Sequence, residues 1–319
     1  LLTLLESHLA LCEFTLTTAE RLHPIVDEIV HGAERSSRRL LNVALEIAAS
    51  LGEGSERPCL APVPMFAPAA ALEQAGWSRA DWFTQAVMCA RLTAAAYPAL
   101  GLDRDASGWV IAAALVQDIG SWHQPHRYRH QKALQEGRKR AEPNHPATGA
   151  AILNGLVDAS VLLSLLVGTH HERIDGTGFP QRLSGPRLTR EQQCLGLMAR
   201  MTELLTDPIT GQLAVEHAEP LETAAGLRLW REVRRGSFAE PFARIVLDSL
   251  RPGLADDVNA LYPMRVRRLV DMAHPVPAPL GQTTKPGMET SAVNAPAFLR
   301  HQRSRGGSLT RAIRHGRDW

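Results

Sequence analysis

Apolar residues recur along this chain at three- and four-residue spacing, the period of a helix packed on one face. Leu2, Leu5, Leu9 and Cys12 share one such face, and Leu40, Val43, Ile47 and Leu51 another. Pro24 predicts an early helical position or a break. Gly, Ser and Pro58, Pro62, Pro64 and Pro68 between 52 and 68 predict a linker or extended connection. Helical spacing returns from Trp77, with Ser78 three residues ahead of Asp81 as a start signal, and stops at Leu100-Gly101. A further apolar helix over Asp105–Val116 runs into Gln117-Asp118-Ile119-Gly120. Residues 121–144 are polar. Helices are predicted again at His145–Leu156, Ala159–His171 and Thr189–Thr206, and through 211–275 with loops at Gly236 and Pro252-Gly253. No segment of strand length alternates with period two, and no internal repeat is visible. The predicted fold is all-α: a helical bundle with an added N-terminal helical segment and a flexible C-terminal tail.

Length refines this picture. The 319 residues suit about two domains. The pattern divides them into an N-terminal helical region (1–58), a Pro-rich linker (59–76), a main helical domain (77–275) and a basic, disordered tail (276–319). That tail carries seven Lys/Arg against two acids and reads as a solubilising segment. Hydrophobic residues at 45% and charged residues at 21% exclude a wholly disordered chain. The net charge of +2 argues against a nucleic-acid polymer as partner. No run of about 18 apolar residues lacks a charge, so no membrane span is expected. The opening segment, broken by Glu6, His8 and Glu13, does not read as a signal peptide. Cys12, Cys59, Cys89 and Cys194 are too scattered for a CxxC metal site or a disulfide framework, which predicts a reducing, cytoplasmic setting. The chain begins at Leu1 rather than Met, which leaves an upstream segment open.

The candidate chemistry sits at element ends. Asp118 closes one apolar helix and His170-His171 another, with His145 between them in sequence. Carboxylate and imidazole together suit iron, manganese, zinc or nickel. The words Gln117-Asp118-Ile119-Gly120, His145-Pro-Ala-Thr-Gly149 and His170-His-Glu-Arg-Ile-Asp-Gly-Thr-Gly-Phe-Pro180 resemble, in order and spacing, those of the HD-GYP family. The likeness covers roughly residues 78–265, including Leu100-Gly-Leu102. The resemblance implies an all-α domain around a two- or three-metal centre, commonly iron or manganese, that hydrolyses cyclic di-GMP. It assigns Asp118 as the catalytic, metal-bridging carboxylate and His145, His170 and His171 as ligands. It places Arg173, Asp175, Gly176, Gly178, Phe179 and Pro180 at the substrate. Asp175 reads as a cap of the loop rather than a ligand, and Gly176 and Gly178 as sources of positive φ. Arg173 and Arg182 suit either phosphate contact or solvent.

The family pattern is broken at specific positions. Gln85 stands at the upstream histidine, Gln117 at the histidine of the HD pair, and Ser121 at the phosphate-facing lysine. Ala199-Arg200 falls where a late acidic ligand belongs, and Glu203 one turn further on is a poor substitute. One metal position keeps only Asp118 of its four ligands, while the neighbouring position keeps Asp118, His145, His170 and His171. That leaves room for one divalent ion (iron, manganese or similar) or for none. Arg200 has two readings: it pairs with Asp118 in place of the lost metal, or it points to solvent. His123, His126 and His130 read as a solvated basic loop, with His123 as the sharper alternative ligand.

Three functions compete. The favoured one is a degenerate HD-GYP module with weak or no phosphodiesterase activity, which signals by binding cyclic di-GMP, a related nucleotide or a protein partner. The second is an active phosphodiesterase with a reduced metal centre. The third is a non-catalytic helical scaffold, against which the retained His pair argues.

Overall fold

The computed structural model describes residues 2–51, 80–103, 105–122, 144–207 and 210–273, without 211–213 and 216. The linker at 59–76, Ser78, the segment with His123, His126 and His130, and the tail from 276 lie outside the described residues. The protein is all-α, as its periodicity predicts. The helices are α1 (Leu2–Val30), α2 (Arg38–Ser50), α3 (Ala80–Ala96), α4 (Ser107–Val116), α5 (His145–Leu153), α6 (Val161–Thr169), α7 (Arg190–Thr206), α8 (Leu221–Arg234), α9 (Glu240–Leu250) and α10 (Leu254–Ala273). Short 3-10 turns follow α3 at Tyr97–Leu100 and α4 at Ile119–Ser121. Among the described residues the sole β-type pairing is an isolated bridge between Asp175 and Ser184.

Helix α4 is the central rod. Every residue from Val110 to Val116 is buried, and α2, α3, α6 and α7 pack around it. Its Ala112-Ala113-Ala114 run lets those neighbours approach closely. Helices α1 and α2 lay Leu22, Val26, Leu40 and Ile47 into the same core as Phe83, Leu115 and Trp230. Burying each such side chain contributes about 1.5–3 kcal/mol. Pro24 does not break α1, which runs unbroken past it. Proline removes one backbone donor, and the buried face of Leu22, Ile25, Val26 and Ile29 offsets that loss.

Two local devices fix the ends of α4 and α6, where the candidate ligands stand. Thr189 and Gln192 form a reciprocal capping box at the start of α7. The Gln192 amide also donates to Thr169 Oγ1 at 2.9 Å, tying α7 to the end of α6 just before the His pair. At the end of α4, α5 packs directly on the Ile119–Ser121 turn. A Cβ on Gly120 would collide with the His145 carbonyl oxygen and would lie 2.5 Å from the Gly149 amide nitrogen. Glycine at 120 is therefore a requirement of backbone approach. Gly120→Ala should destabilise the protein by about 1–3 kcal/mol through overpacking. The equilibrium denaturation midpoint measures this, and an unchanged midpoint would show that α5 is free to shift.

Candidate metal centre

Four side chains from three places in the sequence meet at the end of α4. Asp118 follows α4, His145 opens α5, and His170 and His171 follow α6. One ligand atom from each lies within 4.8 Å of all the others. His145 Nε2 is 3.1 Å from Asp118 Oδ1, and His170 Nε2 is 4.0 Å from the same oxygen. His145 Nε2 also lies 3.3 Å from His170 Nε2 and 3.2 Å from His171 Nε2. All three imidazoles thus present the same ring atom to one point.

The tautomer of His170 follows from its other nitrogen. Its Nδ1 is 2.7 Å from the Val167 carbonyl oxygen, which only accepts, so Nδ1 carries the proton and Nε2 presents a lone pair. Burial pushes the His170 imidazole down to about 4, against the opposing pull of Asp118. His171 is also held well below its ordinary value, first by burial and then by its two histidine neighbours. The neutral rings of His170 and His171 and the Asp118 carboxylate, facing one point with His145 at hydrogen-bond distances, have fewer protons than lone pairs between them. A divalent cation satisfies such a donor set, so these residues fit a metal ion.

The surroundings hold these groups from behind. The Asp118 carbonyl accepts from Ser121 Oγ at 2.6 Å and from Trp82 Nε1 at 3.5 Å. Trp82, Phe83 and Trp122 pack edge to face around this turn, with His23 of α1 against Phe83 and Trp122. Phe179 stacks on His171 at 4.4 Å between ring centroids.

The Gly-rich loop is tethered by two acids. Glu172 is buried and accepts from the Gln181 amide at 2.6 Å and the Leu183 amide at 2.8 Å. These two bonds hold Arg182 between them in the left-handed region, at φ 56°. Asp175 accepts from Thr177 N, Thr177 Oγ1 and Ser237 Oγ, so it caps the loop and docks it on the α8–α9 turn. Gly176 has positive φ. Gly178 does not supply one; its Cβ would sit 2.5 Å from the Arg173 amide nitrogen, so it is glycine for close approach. Pro180 follows Phe179 across a cis peptide bond. Arg173 donates to the carbonyls of His170 at 3.3 Å and Glu172 at 2.9 Å, and its guanidinium lies over the Phe238 ring at 4.6 Å. It braces the backbone of the His pair.

Gln85, Gln117 and Arg200 are engaged with their neighbours. Gln85 Nε2 donates to Thr206 Oγ1 at 3.2 Å, and the Cys89 thiol lies 3.5 Å from Gln117 Oε1. Burial pushes that thiol up to about 12, so it stays protonated and able to donate. Arg200 neither pairs with Asp118 nor points freely to solvent. Its Nε and Nη2 grip Glu232 at 2.9 and 2.6 Å, and its Nη1 donates to Glu203 at 2.9 Å. Burial would lower the Arg200 guanidinium, but these carboxylates raise it further still. A planar fork takes two fixed carboxylates in preference to one across the bundle. Sequence reasoning overlooks Glu172 and Glu232 and discounts Glu203. The motif carries a signal for Glu172, the acid directly after the His pair, whereas Glu232 lies in a separate helix without one.

The HD-domain family model matches residues 72–224. Domains of this family are typically metal-dependent, in keeping with the His/Asp cluster inside the match. The solved structure of Bd1817, a HDG"Y"P protein from Bdellovibrio bacteriovorus, is similar with a TM-score of 0.49 and 16% identity, over 71% of this chain and 68% of that one. No curated protein matches the chain. No helix among the described residues is long and apolar enough to cross a membrane.

Two outcomes are expected from this geometry. Glu172→Ala strands two loop amides and should cost about 1–3 kcal/mol, read as a lower denaturation midpoint. Without metal, stability should fall as pH drops from about 6.5 towards 4, because the unfolded chain binds protons that the folded histidines refuse. For His170 the loss is about 3 kcal/mol over that window. Melts of the metal-free protein across this range, set against His170→Gln, measure it, and equal pH slopes in the two proteins would refute the assignment.

Proposed function

We propose that the protein is a degenerate HD-GYP-type module that holds one divalent ion, iron, manganese or similar. In this reading it binds cyclic di-GMP or a related nucleotide with weak or no hydrolysis. The observation that carries the proposal is the contrast between two adjoining positions. Asp118, His145, His170 and His171 converge as a complete donor set. Next to them, Gln85, Gln117 and Ser121 are neutral and occupied with Thr206, Cys89 and the Asp118 carbonyl. An amide is a weaker ligand than an imidazole, so a second ion has little to hold it.

A bound ion supplies Lewis acidity toward a phosphoryl oxygen and makes a coordinated water more acidic. The chain's own residues orient that donor set and shield one side of it with Phe179. Ser121 brings no charge to the substrate, and Arg173 Nη1 is turned towards the backbone carbonyls of His170 and Glu172. Cationic stabilisation of the transition state is therefore reduced, which favours binding over turnover. The retained donor set speaks against a pure scaffold.

Elemental analysis of purified protein should find about one divalent ion per chain. If the second ion's share is about 4 kcal/mol of transition-state stabilisation, its loss slows hydrolysis roughly a thousandfold. Cyclic di-GMP turnover should then be at or near background, while Gln85→His with Gln117→His raises the metal content towards two. Two stoichiometric ions in the wild type, or rapid turnover, would overturn the degenerate reading.

A further inference from the structure

Three groups outside the four-residue donor set form a chain that ends at one of its ligands. Glu232 on α8 holds Arg200 with both carboxylate oxygens, at 2.6–3.1 Å. Arg200 in turn donates to Glu203 Oε2 at 2.9 Å. That leaves Glu203 Oε1 pointing back, 3.9 Å from His171 Nδ1. At this distance the contact is electrostatic rather than a hydrogen bond. The ring is largely buried and Glu203 is about one-third exposed, so water screens the contact only in part.

The His171 ring needs such a partner. Stacking on Phe179 fixes its plane, yet an apolar face cannot distinguish one edge of an imidazole from the other. His170 has its Val167 carbonyl for that purpose, and no carbonyl among the described residues does the same for His171. We infer that Glu203 is the outer carboxylate partner of His171: it turns the ring so that Nδ1 keeps the proton and Nε2 faces Asp118 and His145. Arg200, braced by Glu232, holds Glu203 in place. Glu203 is thus a positioning residue that acts through His171, and the arginine at the late acidic position serves the remaining ion site instead of replacing an ion. The inference deepens the one-ion proposal and rests on it for its consequence, but its geometry is a property of the chain alone.

The test uses the full chain with 15N-labelled histidine. Long-range 1H–15N spectra of the metal-free protein near pH 7.5 read each ring's tautomer, with His171 assigned by its loss in His171→Asn. The wild type should show His171 protonated on Nδ1. Glu203→Ala should shift it towards an even mixture, Arg200→Gln should shift it less, and Glu203→Gln, which keeps an acceptor, should largely preserve it. Mn(II) affinity should fall about 10–100-fold in Glu203→Ala and less in Glu203→Gln. His171 protonated on Nε2 in the wild type would overturn the inference. So would an unchanged tautomer in Glu203→Ala, even if that variant melts earlier, because a purely structural residue would lower the melting temperature alone. A wild type that binds no Mn(II), iron or other divalent ion would sink the proposed function, while the tautomer still decides the role of Glu203.

Discussion

The contact between the backbone at Gly120 and the first turn of α5 sets the geometry of the whole centre. The His145 carbonyl rests where a side chain at 120 would have to go, and the Gly149 amide lies just beyond it. This approach places His145 against Asp118 although a polar segment of more than twenty residues separates them in sequence. Helix α4 can support the contact because it is buried on all sides and cannot tilt without disturbing four neighbours. The centre is thus held to a helix buried within the bundle, as a site that depends on ångström-scale placement requires.

Around that fixed point, proton count becomes the governing constraint. Burial keeps His170 and His171 neutral, and the Val167 carbonyl holds one proton on the outer face of the His170 ring. Lone pairs therefore face each other across a few ångströms. A fold tolerates that arrangement when a cation is available, or else loses stability as the rings are forced to charge. The loop carrying the His pair is secured independently by Glu172 and by Asp175 on the α8–α9 turn. The tautomer of His170 and the geometry of the loop are in this way fixed by different groups, the Val167 carbonyl and the two acids.

The neighbouring position shows how the fold accommodates the neutral side chains and the arginine that stand there. Its polar groups have not been left unpaired in the core. Gln85 bonds Thr206 and Gln117 meets a protonated thiol, while the arginine at the late acidic position is gripped by two glutamates. Each partner stands on the same bundle of helices, so these side chains are satisfied within the packing of α3, α4, α7 and α8.

The sequence by itself determined the helical class, most helix boundaries to within a few residues, and the four residues that converge at the end of α4. Helical periodicity and short words carry that information locally, because a 3.6-residue repeat or a fixed motif is written in adjacent residues. Thr189 as a helix start, Asp175 as a loop cap and the glycine at 176 were legible for the same reason. The tertiary structure alone decided the partner of Arg200, the need for glycine at 178 and the inward turn of Arg173. Those outcomes depend on which carboxylates, carbonyls and rings the bundle brings from distant segments: Glu232 from α8, the His171 carbonyl, and Phe238 beyond α8. Pro24 within α1 belongs with them, since the unbroken helix is held by core contacts that no local propensity records. Local chemistry names the groups that can react, and long-range packing decides which of them face one another.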